Sequence, residues 1–375
     1  MTLHTEKTLY NSTSQRIASI YTASLTEFKP VIPAGLDPQQ HAALAESERD
    51  FHLFLRSLYA AFFQSPQQFG LPLSPDMCIK GGEKDPKQFK QDVKQQLDKP
   101  KAIIERGMDF LMLVGVKGIL QDAELLVPQG EYADLIKESK IKKPFLAGLA
   151  GVGLQISPRG EAVAITSTSH PAMLLALKNL AEACSRYENT RLGKFNFARA
   201  DFRALDGKFS PAALDLYQYL GTEDLERVTW LHQFMTGMRY FPEYQIYGIF
   251  GWEVQYQGPK KIKASPLLRV HYEYRHVNPL RVDIKCVSVN RLIPLIYSQP
   301  RYLLEDFSSR LNTCNGEKCN WCHDKKGLGP SVFEFDGVKR TVCWYHNPDI
   351  DELNENSMQV IQQYTRMHEA LLPVA

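Results

Sequence analysis

The chain has 375 residues and a mass of 42.7 kDa, more than one ordinary domain holds, so roughly two units are expected. With 44% hydrophobic and 23% charged residues it has the balance of a soluble globular protein, large enough to fold without disulfides or a metal. Lys and Arg (44) nearly cancel Asp and Glu (42), and a net charge of +2 excludes a uniformly basic coat for nucleic acid or an acidic tail.

The first third reads as mainly helical. Asp37-Pro38 is a helix start with proline in the first turn, and Phe51, Phe54, Leu55, Leu58 and Phe62 follow at three- and four-residue intervals. Asp85-Pro86 opens another helix, whose mixed charges (Lys87, Lys90, Asp92, Lys94) suit a solvated face and which Pro100 is expected to interrupt. Phe145 to Leu154 is the best apolar run, yet it falls well short of the roughly 18 residues that span a bilayer. Its three glycines suit a buried strand or short helix. Gly151 to Ile156 and Ala162 to Thr166 read as strands joined by Ser157-Pro158-Arg159-Gly160. Ser169 before Pro171, and Ser210 before Pro211, carry a cap-then-proline signature, and Thr222 is the expected cap of a helix running toward Met238. Asn189 to Lys194 looks like the loosest stretch, so the boundary is placed there.

From Ile246 the hydrophobic period changes to two. Phe250, Trp252, Val254 and Tyr256 share a face, then Leu268, Val270, Tyr272 and Tyr274, then Leu280, Val282, Ile284 and Cys286. Charged residues alternate with them: Glu253, then Arg269, His271 and Glu273, then Arg281, Asp283 and Lys285. The spacing predicts an antiparallel meander, apolar within and wet outside, with Cys286 an inert buried thiol. A helix around Tyr302 to Leu311 and an amphipathic helix through Met358, Ile361, Tyr364, Met367 and Leu371 complete the chain. The fold class is therefore α+β. A mainly helical domain with a β-hairpin spans 1–190; an α+β domain spans 191–375, with its meander at 246–289 and a cysteine module at 310–346.

That module carries the one constellation with chemistry. Cys314, Cys319, Cys322 and Cys343 give the spacing C-x4-C-x2-C-x20-C. Four thiolates close a tetrahedral shell around zinc, and Cys319 and Cys322 can meet one ion from a single turn. Ser331 to Phe335 and Val338 to Val342 flank Asp336-Gly337, the preferred dipeptide of a tight hairpin, whose return strand would deliver Cys343. The same spacing suits a [2Fe–2S] cluster, although Lys318, Asn320 and Trp321 stand where small residues would ease the approach of backbone amides to the sulfurs. The pattern resembles zinc-ribbon and plant-type ferredoxin motifs in spacing only. His323 and His346 lie beside it as minor alternatives.

Seven cysteines, an odd number with four of them clustered, fit metal ligation in a reducing cytosol, and the polar N-terminus is unlike a secretory leader. The expected setting is cytoplasmic, without a membrane partner. Lys260, Lys261, Lys263, Arg269, Arg275, Arg281 and Lys285 concentrate basic charge near the meander, but alternation sets Tyr256, Tyr272 and Tyr274 on the opposite face from the arginines. A solvated sheet surface is the plainer reading. His271 and His276 should point apart, and His170 reads as an ordinary residue at a helix start. No phosphate-binding loop, nucleophile elbow or H-E-x-x-H helix occurs, and Gly148 to Gly153 reads as close packing. No catalytic residue is assigned. The expected function is metal binding through a structural zinc site, with a small-molecule or protein cleft between the halves. The alternatives are a redox enzyme or electron carrier with [2Fe–2S], and a zinc-ribbon-type nucleic-acid-binding protein.

Overall fold

The computed structural model describes residues 10–32, 35, 37–76, 87–218, 220–249, 251–258, 267–274, 279–287, 289–311, 314, 330–343, 345–346, 349–350 and 352–371; for 87–95, 286–287, 345–346 and 349 it describes the backbone only. Contacts divide the chain into two compact units. The first comprises Met1–Gly221 with the short pieces Ile246–Gly251 and Tyr274–Val277. The second comprises Thr222–Gln245, Trp252–Glu273 and Asn278–Ala375.

The first unit is built on long helices. Helix α1 (Thr13–Ser24), which the sequence reading passes over, starts at Ser12, whose side chain accepts from the Gln15 N–H. Helix α2 (Pro38–Gln64) begins where expected: Asp37 accepts from Gln39 and Gln40, and Gln40 answers in a capping box. Its stripe of Phe51, Phe54, Leu55, Leu58 and Phe62 is fully buried. Helix α3 (Lys87–Lys117) runs straight through Pro100 for 31 residues, against expectation. Proline removes one backbone bond, but Leu97 and Ile104 on either side are fully buried, and that packing carries the helix across.

Strands β1 (Ile119–Gln121) and β2 (Glu124–Pro128) lead into α4 (Gln129–Ser139) and α5 (Lys143–Gly151). The apolar run is thus the short-helix alternative, and its glycines let rings in: a Cβ on Gly148 would sit 2.4 Å from the Phe69 ring. Strands β3 (Leu154–Arg159) and β4 (Ala162–Ser167) pair antiparallel as expected, but the turn is Gly160-Glu161 and Pro158 lies within β3. Gly160 takes a φ of +61°, which supplies the left-handed step. The sheet order is β1-β2-β4-β3.

Helix α6 (Met173–Ser185) packs against both α2 and α3. Ser169 does not cap it; α2 does, because Asp50 accepts from the Ala172 N–H and Ser47 from the Ala176 N–H. Asn189 to Lys194 is not loose: Asn189 caps α7 (Thr190–Ala198). Helix α8 (Ala213–Tyr217) closes the unit, with Asp215 rather than Ser210 accepting from the Ala212 N–H.

The second unit opens with α9 (Thr222–Gly237), starting at Thr222. Strands β5 (Phe241–Gly248), β6 (Gly251–Gln257), β7 (Leu268–Glu273) and β8 (Leu280–Ile284) follow in sequence across one sheet. The alternation holds: Leu268, Val270 and Tyr272 are buried between half-buried Arg269, His271 and Glu273. Cys286 leaves the meander. It belongs to a separate short strand, β9 (Cys286–Val287), and its side chain lies outside the described set. Helices α10 (Val289–Tyr297) and α11 (Arg301–Ser309) precede the hairpin β10 (Ser331–Phe335) and β11 (Val338–Val342). The chain then returns. Strand β12 (Tyr345–His346) pairs with β9, and β13 (Asp349–Ile350) adds a fifth strand beside β8 before α12 (Glu355–Ala370). Among the described residues no helix is long and apolar enough to cross a membrane.

Candidate functional site

The hairpin expected to deliver Cys343 forms with its register unbroken from Ser331–Val342 to Phe335–Val338. Asp336 and Gly337 both take positive φ, 49° and 76°, as a two-residue turn matched to strand twist requires. It is anchored by its own side chains. Phe333 is fully buried, its ring stacked 5.3 Å from Tyr297 and edge-on 5.0 Å from Phe307. The Tyr297 hydroxyl donates to the Glu334 carbonyl at 3.1 Å and accepts from the Glu334 N–H at 2.8 Å. Arg340 donates to the Ser308 carbonyl, and Arg301 meets Asp336 at 2.9 Å.

Two of the four expected ligands fall among the described residues. The Cys314 N–H donates to the Thr341 carbonyl at 2.8 Å. Cys343 follows two residues later, roughly 7 Å along an extended chain. Both thiols are half-buried and neither is in a disulfide. Cys319 and Cys322 lie outside the described residues, as does His323; His346 has a described backbone, opposite Cys286. Among the described residues no group of three or more His, Cys, Asp and Glu side chains is arranged to hold a metal ion. Cys184 is a different kind of thiol: burial, aided by Asp201, pushes it up to about 12, which leaves it inert at neutral pH.

The polar face of the meander is less wet than expected. Glu253 on β6 and Asp283 on β8 are 7% and 8% exposed. Between them on β7, His271 places Nδ1 3.3 Å from Glu253 and Nε2 2.8 Å from Asp283, while Arg269 meets Asp283 at 2.7 Å. Burial works against a charged imidazole, but hydrogen bonds to Asp283 and Glu253 outweigh it and raise His271 to about 9. Glu253 is likewise held below the usual range: burial pushes it up, and His271 and Arg269 more than reverse that. The alternation had already put these four residues on one face. What a period of two cannot convey is that they pair with one another across three strands, even though the buried Arg269 Nε is left without a hydrogen-bond partner. Of the basic concentration, Lys260, Lys261, Lys263 and Arg275, together with His276, lie outside the described residues.

A cavity of about 350 Å³ opens within the first unit, between residues 23–31 and 199–203 with Gln218. Its walls come from both sides of residue 190 but from one compact unit. Arg203 clasps Asp201 through Nε and Nη2, each at 2.8 Å, and reaches Asp215 with Nη1 at 2.7 Å. Arg199, 1% exposed, donates to the carbonyls of Ser24 and Asp215 and lies over the Phe195 ring. These pairings tie the wall together. Sequence reading missed them because no motif marks Asp201 and Arg203, two residues apart in a short turn, and Asp215 joins Arg199 and Arg203 from 16 and 12 residues further on. No protein-family model, curated protein or solved structure matches the chain.

Proposed function

We propose that the protein is a metal-binding protein whose second unit is stapled by one structural zinc ion, ligated by Cys314, Cys319, Cys322 and Cys343. The observation that carries this reading is the backbone bond from Cys314 to Thr341, which ties the start of the cysteine loop to the return strand two residues before Cys343. The free, half-buried thiols at both positions also support it. Four thiolates leave no open coordination position, so the ion would fix structure and not act as a Lewis acid.

The test is elemental analysis and an absorption spectrum of protein purified without oxygen. One zinc per chain in colourless protein, reduced several-fold by Cys343→Ser and by Cys319→Ser, is the expected result. Brown protein with iron and visible absorbance would assign the same cysteines to a [2Fe–2S] cluster and overturn the zinc reading. Metal-free protein that binds no added zinc would overturn both. Salt-dependent retention of RNA or DNA, measured alongside, would move the module toward nucleic-acid binding.

A further inference from the structure

Residues 25–32 cross the first unit as an irregular strap between α1 and α2, and they form one wall of its cavity. The near end is tied several times over. The Thr26 N–H and hydroxyl donate to the Arg199 carbonyl, each at 3.1 Å, and the Thr26 carbonyl lies 2.9 Å from His52 Nε2. Phe28 rests against His52, Phe202 and the Arg49 guanidinium. Beyond Phe28, the polar tie among the described residues is the Val31 N–H, which donates to Glu48 Oε2 at 2.8 Å.

Glu48 is an unusual anchor. It is fully buried, and its other oxygen, Oε1, has no hydrogen-bond partner. A buried carboxylate normally holds a cation or several donors, because a lone desolvated charge is costly. Here one main-chain N–H is the counterpart, and that N–H belongs to the strap. The charged groups nearby are engaged elsewhere: Arg49 over Phe28, Asp50 with the Ala172 N–H, Lys29 with Glu27, and Arg203 with Asp201. His52, one turn further along α2, holds Thr26.

We propose that residues 25–32 are a proton-controlled flap over the first unit's cavity, latched by the Glu48 carboxyl and swinging about Thr26. With the strap down, Glu48 is sealed from water and carries a proton; lifting the strap hydrates it and lets the proton go. Burial raises Glu48 from 4.5 to about 7, with the Val31 N–H pulling weakly the other way. A carboxyl whose folded pKa is raised favours the closed form fully below pH 4.5 and loses that preference as pH climbs through 7. The two values give a fall in the closed-to-open ratio of about 30-fold between pH 5.5 and 8.5.

Hydrogen exchange of the full chain, read as protection factors at Val31, tests this. The wild type should lose about 30-fold in protection over that range, while Glu48→Gln, with no proton to release, should stay flat. His52→Gln should keep the wild-type dependence. A wild-type profile flat within about threefold, or the same fall in Glu48→Gln, overturns the proposal, and so does loss of the dependence in His52→Gln. Should Glu48→Gln fail to fold, a carbon-13 titration of the wild-type Glu48 carboxyl decides. A midpoint near 7 moving together with the Val31 amide supports the latch, and one near 4.5 refutes it.

Discussion

Replacing Phe333 with alanine separates the two ways in which the hairpin at 331–342 is held, by packing and by the proposed metal. The ring is fully buried between Tyr297 and Phe307. Removing a phenyl group that covers roughly 150–200 Å² forfeits about 4–5 kcal/mol at 25 cal/mol per Å². The two ring contacts and the cavity left behind keep the total within the usual range of about 3–5 kcal/mol for such truncations. That is enough to free the hairpin locally, because the ties from Tyr297 to the Glu334 backbone and from Arg340 to the Ser308 carbonyl are hydrogen bonds worth about 1 kcal/mol each. The assay is hydrogen exchange of the β10–β11 amides in the full chain, with zinc present and with a chelator. Phe333→Ala should lower their protection by about two to nearly four orders of magnitude with zinc present, as about 3–5 kcal/mol requires. Chelation of the wild type should leave those amides protected, since the aromatic anchor remains. If chelation alone exposes the hairpin as fully as Phe333→Ala does, the packing argument is wrong and the metal alone positions these strands.

His271→Gln should cost the second unit roughly 3 kcal/mol at neutral pH, the equivalent of the rise from 6.5 to about 9. In the wild type the same stabilisation is complete below pH 6.5 and fades as pH rises through 9, which urea unfolding across that range would reveal. Gly193→Ala should destabilise the first unit by about 1–3 kcal/mol or more, because a Cβ there would lie 2.2 Å from the Cys184 carbonyl oxygen, a backbone atom that cannot step aside. Thermal unfolding measures it, and a neutral result would contradict the close approach of α6 and α7. Arg203→Lys keeps the charge but loses the fork that grips Asp201, so a loss of about 1–3 kcal/mol is expected in the same assay.

Much of the fold could be read along the chain wherever the signal was local. The Asp37-Pro38 cap, the stripe on α2, the alternation from Trp252 to Ile284 and the Asp336-Gly337 turn each depend on neighbours within a few residues, and each appears in the structure. Readings that required distant partners failed. Pro100 did not break its helix because burial outweighed a lost backbone bond. Ser169 did not cap α6 because Asp50 and Ser47, more than a hundred residues earlier, supply the acceptors. Cys286 continues the period of β8 in sequence but pairs with His346, a partner sixty residues away that periodicity cannot foresee. In the candidate metal site, spacing suggested the ligands and turn chemistry the hairpin. The bond joining Cys314 to the return strand belongs to tertiary structure, and no pattern announces it.

The polar sheet face shows the same division in energetic terms. Alternation located Glu253, Arg269, His271 and Asp283 correctly, and solvation was the natural inference, because single charges on a strand belong in water. Three adjacent strands instead bring two carboxylates against two cations, so the group reaches near-neutrality and the carboxylates can withdraw from solvent. Such a network need not add stability over a well-packed apolar face, but breaking it leaves a buried charge without its counterpart. It also bears on nucleic-acid binding. A phosphate approaching Arg269 would have to displace Asp283 at 2.7 Å, so a basic count along β7 and β8 overstates the positive charge those strands can offer. Any RNA or DNA affinity measured for this chain should therefore survive Arg269→Gln largely unchanged, whereas a strong drop would mean that the ion cluster opens when phosphate arrives.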